Sequence, residues 1–354
     1  MQFLDKPGMI YIQSGFCRGL AILAMSALPL LGQSNFVSPD TAVLPNSPSV
    51  SSPVSESAPD ADQPVTTITK RVDEVTVLFT ATDKHGKFVR DLNEGDFAIR
   101  DDHKPPQSVV NFGSQTNLPL ELGLLIDTSG SVHARFDFEQ EAAVSFLQHT
   151  LRATYDKAFI MGFNTKSQVT QSFTDNISLL ASGVRHLQDG GGTALYDAIY
   201  RACHDTLIKV DDERPVRRAI ILVSDGEDNQ SDVSRAQAIE MAQRAQVIIY
   251  AISTDDSGLI LRGDTVLQQL ADATGGRAFF PFKMKDIKNS FAAIEDELRS
   301  QYVVSYHPAD FDPDGRYRPI EITSLKKDVQ VRARRGYYAP NNKISTVMTV
   351  APLR

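Results

Sequence analysis

The chain of 354 residues lacks most of the features that would mark an enzyme, a disulfide-rich protein or a nucleic-acid binder. It has only two cysteines, and 36 lysines and arginines stand against 44 acidic residues, a formal net charge of −8. This negative balance gives no electrostatic basis for binding nucleic acid or an anionic membrane surface. No G-x-S-x-G, H-E-x-x-H, P-loop or paired-cysteine motif occurs in the sequence. These absences favour a non-enzymatic protein.

A long apolar run is also missing, except near the N-terminus. Arg18 precedes residues 19–32, which are too short to span a bilayer comfortably but have the length of a signal-peptide core. We interpret residues 1–32 as a signal peptide, with a buried helix as the alternative. Cys17 would leave with this segment, so the remaining Cys203 could form no internal disulfide. We therefore expect a secreted, periplasmic or envelope protein without a membrane span after cleavage.

The composition changes twice after the apolar run. Residues 33–66 are rich in Ser, Pro and Asp and predict a disordered linker. β-Branched and aromatic residues then predict short strands on both sides of a central region. We expect the flanking parts, residues 67–116 and 301–340, to complete one small β-sandwich, and residues 341–354 to form a tail. The predicted flanking strands are residues 74–83, 96–100, 108–112, 302–306, 317–323 and 329–333.

The central region, residues 117–300, alternates predicted strands with predicted helices. This alternation indicates a parallel sheet covered by helices on both faces. The predicted strands are residues 118–126, 158–163, 219–223, 247–252 and 277–280. The predicted helices are residues 136–151, 177–186, 194–209, 234–244, 266–273 and 287–299. The fold class is therefore α/β, a doubly wound, mostly parallel sheet inserted into a small β-sandwich.

The most informative pattern follows the first strand of the central region. Residues 127–131 read Asp-Thr-Ser-Gly-Ser, so one carboxylate and two hydroxyls share a single loop. Ligands of open α/β sheets bind at the carboxyl ends of the strands, where this loop is expected. Asp127, Ser129 and Ser131 offer small, hard oxygen ligands, which suit Mg²⁺, Mn²⁺ or Ca²⁺.

Two further segments are expected at the same sheet edge. Residues 189–193 read Asp-Gly-Gly-Gly-Thr, and their glycines let the backbone approach closely while Thr193 opens a predicted helix. Residues 220–226 form an apolar strand that ends in Asp225 and a turn glycine. The alternative is that these residues cap helices and turns without a metal.

The five residues together resemble the metal-ion-dependent adhesion site of the von Willebrand factor type A family, also called the integrin I-domain fold. Asp127, Ser129 and Ser131 match the family's Asp-x-Ser-x-Ser loop, Thr193 its distant threonine and Asp225 its distant aspartate. The resemblance covers about residues 117–300. It implies a divalent ion whose coordination is completed by waters and by an acidic side chain, Asp or Glu, of a protein partner.

The layout of the whole chain also resembles a bacterial family of secreted proteins known from Acidobacteria. In that family a β module with a stretch like residues 96–102 precedes the domain, and a stretch like residues 336–340 closes it. This resemblance implies export and a two-part architecture, but no ligand.

A second acidic segment matches the spacing of an EF-hand calcium loop. Its candidate ligands are Asp310, Asp312, Asp314 and Glu321. An EF-hand needs a helix on each side, whereas both flanks here are strand-like. We interpret the segment as a β-hairpin turn, with a calcium site as the alternative.

Three other features have ordinary structural interpretations. Residues 262–264 form an Arg-Gly-Asp tripeptide, which we interpret as incidental because short motifs arise by chance. His133 lies two residues after Ser131 and is interpreted as a loop residue, with a place in the site as the alternative. We interpret Glu227 and Asp228 as caps of the helix that begins near residue 234, with tuning of the ion as the alternative.

Three functions are compatible with the sequence. The favoured one is an exported, non-enzymatic binding or adhesion protein that holds an acidic group of a protein partner through a divalent ion. The second is an envelope scaffold protein whose metal site is non-essential and whose β module makes the contacts. The third is a metal-assisted hydrolase, which would need a general base beside the ion, and none is evident.

Overall fold

The computed structural model describes most of the chain beyond the predicted linker. It describes residues 74–114, 118–133, 135–208, 216–255, 257–281, 283 and 286–341. The predicted signal peptide, the predicted linker and all but the first residue of the predicted tail lie outside these ranges. No helix within them is long and apolar enough to cross a membrane.

The described residues contain thirteen strands and six α-helices. The strands are β1 Val75–Asp83, β2 Phe97–Asp101, β3 Ser108–Ser114, β4 Leu120–Asp127, β5 Lys157–Phe163, β6 Ser167–Thr174, β7 Arg217–Ser224, β8 Val247–Ser253, β9 Ala278–Phe279, β10 Gln301–His307, β11 Tyr317–Ser324, β12 Val329–Ala333 and β13 Gly336–Tyr338. The helices are α1 Phe136–Thr150, α2 Ile177–Arg185, α3 Leu195–Arg201, α4 Arg235–Arg244, α5 Arg262–Thr274 and α6 Ile287–Leu298.

The central region is organised around a six-stranded sheet in the order β6-β5-β4-β7-β8-β9. Every residue of β4 is buried, as expected for a central strand covered on both faces. All neighbouring strands run parallel, except that β6 is antiparallel to β5. Because β4, β5, β7 and β8 are parallel, the loops that follow them leave from the same edge of the sheet.

Helices cover both faces of this sheet. One apolar core packs α1, α2 and α6 against one face, and a second packs α3, α4 and α5 against the other. The buried Cys203 lies in the second core and has no disulfide partner. Burial raises the pKa of its thiol far above the usual range, so it is an inert core residue.

The flanking segments form two antiparallel sheets, in the orders β12-β1-β10-β3 and β13-β11-β2. A core shared by both sheets includes Phe79, Tyr302 and Ile322. Burial raises the pKa of Asp101, the last residue of β2, which accepts hydrogen bonds from the hydroxyls of the core residues Tyr306 and Tyr337 at 2.9 and 3.1 Å. With the six-stranded sheet, these antiparallel sheets confirm the predicted fold class.

Two strands and one helix differ from the sequence predictions. The sequence does not predict β6, because this edge strand is polar and lacks an apolar run. It does not predict β13 because that strand has only three residues. The predicted helix over residues 194–209 is divided, since α3 continues from Ala202 to Leu207 as a π-helix.

The two parts of the fold are joined by buried polar contacts. Glu297 of α6 is fully buried, and its Oε1 lies 2.6 Å from Nη2 of Arg332 on β12. Next to this ion pair, the amide of Gln301 donates to the hydroxyl of Tyr250 on β8 at 3.1 Å. The sandwich is therefore attached to the α/β region through charged groups as well as apolar ones.

Candidate metal centre

Asp127 forms the floor of the candidate site. It is the last residue of β4 and is fully buried. Its Oδ1 accepts a hydrogen bond from the backbone N–H of Ser129 at 2.9 Å, and its Oδ2 accepts one from the hydroxyl of Ser224 at 2.6 Å. Ser224 in turn accepts the N–H of Gly226 at 3.0 Å. These bonds fix the carboxylate between the loops that follow β4 and β7.

The two serines of the first loop connect Asp127 to Asp225. The hydroxyl oxygens of Ser129 and Ser131 lie 3.0 Å apart, and the Ser131 hydroxyl donates to Oδ2 of Asp225 at 2.8 Å. The other carboxylate oxygen of Asp225 accepts the N–H of Glu227 at 3.0 Å. Four of the five predicted site residues are therefore linked by hydrogen bonds, through the backbone N–H of Ser129 at Asp127 and through side-chain oxygens from Ser129 to Asp225.

The loop that carries Thr193 is bonded directly to the Asp-x-Ser-x-Ser loop. The N–H of Gly190 donates to the carbonyl of Thr128 at 2.6 Å, and the N–H of Gly130 donates to the carbonyl of Gly191 at 3.1 Å. Thr193 itself is buried, and its N–H donates to Oδ1 of Asn229 at 3.0 Å. The loop therefore contacts the Asp-x-Ser-x-Ser loop through Gly190 and Gly191, and Thr193 follows two residues after the second of these contacts.

The glycines of this loop have a conformational reason. Gly190 and Gly191 have φ angles of +135° and +88°, which side-chain-bearing residues rarely adopt. These glycines therefore allow the loop of residues 189–193 to adopt the conformation in which it contacts the Asp-x-Ser-x-Ser loop.

The electrostatics of the floor favour a cation. Burial raises the pKa of Asp127 to about 6, although hydrogen bonds from Ser224 and Ser129 lower it, and the nearby charge of Asp225 raises it further. Glu139 on α1 is also buried, and burial raises its pKa to about 8, with further contributions from both aspartates. A site in which buried carboxylates repel one another gains stability when a divalent cation binds.

The donor set fits a hard divalent ion. Two carboxylates and three hydroxyls are oxygen ligands of the kind that Mg²⁺, Mn²⁺ and Ca²⁺ prefer. Asp127, Ser129, Ser131, Thr193 and Asp225 are the residues that would hold it. Within the described ranges, no three His, Cys, Asp or Glu side chains converge to hold a metal. The candidate site is of a different type, because three of its five donors are Ser or Thr hydroxyls.

Several supporting residues carried no motif in the sequence. Ser224 and Asn229 hold Asp127 and Thr193 through single hydrogen bonds. The interpretation of Asp228 as a cap of the helix near residue 234 was wrong. Its Oδ1 accepts the N–H of Leu195 at 2.8 Å and so caps α3, whereas Ser234 caps α4. A signal for this long-range cap is absent from the local sequence, because 33 residues separate Asp228 from Leu195.

The second acidic segment does not form a hairpin. The strands on either side of it, β10 and β11, belong to different sheets, so the interpretation as a hairpin turn was wrong. Asp310 pairs with Lys104 and Asp314 pairs with Arg316, while Glu321 is exposed on β11 opposite Arg100. The backbone carbonyl of Asp312 accepts the guanidinium of Arg318 at 2.8 Å. Cationic side chains, rather than neighbouring carboxylates, are thus the partners of the first three residues.

The Arg-Gly-Asp tripeptide has a structural role in the first turn of α5. Gly263 and Asp264 are buried, and Oδ2 of Asp264 accepts the N–H of Leu261 at 2.9 Å. A Cβ atom on Gly263 would lie 2.0 Å from the carbonyl oxygen of Asp225. Glycine is therefore required where α5 packs against the Asp225 loop, and the motif is not presented at the surface.

His133 remains a loop residue in the structure. Its side chain is 81% exposed and pairs with Asp189, whose carboxylate raises the pKa of the imidazole. This pair joins the first loop to the loop of Thr193 on the solvent side.

Comparison with known proteins supports the family assignment. Residues 122–227 match the family model of the von Willebrand factor type A domain. No curated protein sequence matches the chain. Domains of this type are typically adhesion or binding modules, and no catalytic family is indicated.

Similar solved structures include proximal thread matrix protein 1 from the mussel byssus, at 12% identity and a TM-score of 0.45. This match covers 62% of the chain and 50% of the mussel protein, so the chain spans half the length of that relative. The same protein "with zinc occupied MIDAS motif" matches at 12% identity and a TM-score of 0.46, over 56% of the chain and 50% of that protein.

A von Willebrand factor type A protein from Catenulispora acidiphila matches at 11% identity and a TM-score of 0.45, over 77% of the chain and 74% of that protein. The resemblance to the acidobacterial proteins remains a prediction. The match of residues 122–227 confirms the predicted family, and the chain carries a von Willebrand factor type A domain.

Proposed function

We propose that this protein is an exported, non-enzymatic binding protein that holds an acidic side chain of a protein partner through a divalent ion. The observation that carries the proposal is the hydrogen-bonded chain from Asp127 through Ser129 and Ser131 to Asp225. These residues lie at the ends of two different strands. The backbone N–H of Ser129 is 2.9 Å from Oδ1 of Asp127, and the side-chain oxygens from Ser129 through Ser131 to Asp225 are 3.0 and 2.8 Å apart in succession.

The residues around the ion determine what it would offer a partner. Asp127 and Ser129 are buried, whereas Ser131 is exposed, so the site opens towards solvent at Ser131. Three of the five donors are uncharged hydroxyls, so the two aspartates are the only charged donors among them and add a charge of −2 to a divalent ion. A bound ion would supply an open coordination position for a carboxylate of the partner.

Export rests on the sequence alone. The apolar run of residues 19–32 after Arg18 is the basis for the signal peptide, and the net charge of −8 argues against nucleic acid as the partner. We favour Mg²⁺ as the ion, with Mn²⁺ or Ca²⁺ as alternatives.

The first test is calorimetry of Mg²⁺, Mn²⁺ and Ca²⁺ binding to the protein and to Asp127→Ala. We expect one site in the wild type and none in the variant. Asp310→Ala is the matched control, because it removes an exposed carboxylate that pairs only across the surface with Lys104. Absence of any divalent-ion binding to the wild type would refute the proposal, and loss of Ca²⁺ binding in Asp310→Ala would restore the second site.

The second test is capture of partners from the cell envelope of the source organism in Mg²⁺ or in EDTA. We expect a protein partner that is retained only in Mg²⁺ and only by wild type. If Asp127→Ala retains the same partner, the scaffold function is supported instead. Turnover of generic ester or peptide substrates that is lost in Asp127→Ala would support the hydrolase.

A further inference from the structure

Three consecutive apolar side chains are exposed in the segment between β8 and α5. Leu259, Ile260 and Leu261, here called the apolar tip, are 67%, 62% and 45% exposed. Seven other large apolar side chains in the described ranges are exposed, and no two of them are neighbours in sequence. Single exposed apolar residues are normal on soluble proteins, whereas adjacent exposed apolar side chains are typical of interaction surfaces.

The segment that carries the tip leaves the sheet at the edge where the metal centre lies. β8 is parallel to β7, and Ser253 at its end is in register with Ser224. The N–H of Thr254 donates to the carbonyl of Ser224 at 3.1 Å, immediately before Asp225. The chain therefore passes the Asp225 loop as it enters the segment.

The segment returns to the same loop at its other end. Gly263 packs so closely on Asp225 that a Cβ atom there would lie 2.0 Å from the Asp225 carbonyl oxygen. Leu261 is two residues before Gly263, so their Cα atoms are at most about 7 Å apart. Both ends of the segment are thus fixed beside one of the predicted metal ligands.

Hydrogen bonds within the segment define its conformation. The hydroxyl of Ser257 donates to Oδ2 of Asp255 at 2.7 Å, and the N–H of Leu259 donates to the Ser257 hydroxyl at 3.3 Å. At the other end, Oδ2 of Asp264 accepts the N–H of Leu261 at 2.9 Å. The side chains of Asp255, Ser257 and Asp264 are thus bonded within the segment and the first turn of α5, while the three apolar side chains are exposed.

We propose that the apolar tip is the second contact of the partner-binding surface, next to the metal centre. The partner is a protein segment with an aliphatic or aromatic side chain a few residues from the acidic side chain that reaches the ion. This inference rests on the proposed function and adds a sequence preference to it. In an extended segment, two to four residues span about 7–13 Å, and the Cα of Leu261, the tip residue nearest in sequence to Gly263, lies at most about 7 Å from the Gly263 Cα.

The combination suits the usual composition of a protein interface. A charged contact fixes the register of the partner, while apolar contacts that exclude water supply much of the affinity. The metal centre alone would accept any exposed carboxylate. An apolar contact beside it distinguishes one acidic segment from another, because specificity is a difference between affinities.

The probe for the test is a synthetic library of nine-residue peptides with Glu at the central position and all other positions varied. The immobilised full chain is screened in Mg²⁺ and in EDTA. We expect Mg²⁺-dependent retention of peptides with Leu, Ile, Phe or Tyr two to four residues from the Glu. In Leu259→Ser/Ile260→Ser, we expect that preference to disappear and the best peptide to bind at least about tenfold more weakly, while Mg²⁺ binding by calorimetry is unchanged.

Leu325→Ser is the matched control, because Leu325 is also 67% exposed but lies in the turn after β11. It should bind the best peptide as wild type does. Thermal melts check that the variants are folded, and Ile260→Ser alone serves if the double variant is not.

The outcomes separate this inference from the proposed function. Mg²⁺-dependent retention of Glu peptides without an apolar preference, or equal affinity in the tip variant, would overturn the inference and leave the proposed function standing. No Mg²⁺-dependent retention of any peptide by wild type would overturn both. Mg²⁺-independent binding of phosphatidylcholine vesicles, or dimerisation in sedimentation, that is lost in the tip variant would overturn the inference in favour of a lipid surface or a second copy.

Discussion

Asp127→Asn should make the metal-free protein more stable, although it removes a predicted metal ligand. Burial raises the pKa of Asp127 from 3.8 to about 6, which means that ionised Asp127 costs the folded state about 3 kcal/mol. Asparagine keeps the size of the side chain without the charge. Some of the gain is lost, because the amide would present an N–H group to the hydroxyl of Ser224. We therefore expect a net stabilisation of about 1–3 kcal/mol at pH 7.5.

The stability gained by Asp127→Asn should depend on pH. The folded-state pKa of Asp127 lies above its unfolded value, so protonation favours the folded state. The advantage of Asp127→Asn should be full above about pH 6 and should shrink as the pH falls from 6 towards 3.8, to about half at pH 5. Divalent ions reverse the order, because Mg²⁺ should stabilise wild type and leave the variant unchanged.

The assay is urea or thermal denaturation in EDTA at pH 7.5 and pH 5, repeated in Mg²⁺. Asp156→Asn is the matched control. Asp156 is also buried, but hydrogen bonds from Arg152 and the N–H of Leu120 outweigh burial and lower its pKa. Its ionised form stabilises the fold above its unfolded pKa, so Asp156→Asn should destabilise. If Asp127→Asn in EDTA is as destabilised as Asp156→Asn, or keeps a stabilisation by Mg²⁺, the reasoning about the buried carboxylate is wrong.

Two further predictions concern positions that support the site and the fold. Gly263→Ala should weaken Mg²⁺ binding measured by calorimetry, because its Cβ would lie 2.0 Å from the Asp225 backbone. Gly130→Ala is the control and should bind Mg²⁺ as wild type does, because the nearest atom to its Cβ would be 3.7 Å away. Equal effects of the two substitutions would contradict the argument from close packing. Arg332→Met should lower the free energy of unfolding, measured in urea, by about 3–5 kcal/mol, because it leaves the fully buried Glu297 without its cation. Adding Glu297→Gln should restore much of this loss. No recovery in the double variant would show that the charge of Glu297 is not the cause.

The sequence predicted the elements that depend on local pattern. The buried strands of the central sheet, the order of the helices and the grouping of Asp127, Ser131 and Asp225 all follow from apolar runs that end in polar residues. β6 escaped prediction because its exposed edge position leaves no apolar signal. The hairpin interpretation of residues 310–321 failed because two strands that are adjacent in sequence pair with different partners.

The contacts that hold the site join residues that are far apart in the sequence, so no local sequence pattern predicts them. Asp228 caps a helix that begins 33 residues earlier, and Ser224 bonds a carboxylate 97 residues away. Gly263 is required by a backbone that approaches it from another loop. Such contacts become visible only when the strands have been placed side by side.

The pairing of β3 with β10 has a mechanical consequence. β3 leads into the α/β region and β10 leads out of it, and the two strands are antiparallel neighbours, with Ser114 opposite Tyr302. The two connections between the sandwich and the α/β region therefore lie next to each other, as the two ends of a loop do in a β-hairpin. Tension applied between the two ends of the described chain would be borne by the strands of the sandwich, and the α/β region would carry load only after β3 and β10 had separated.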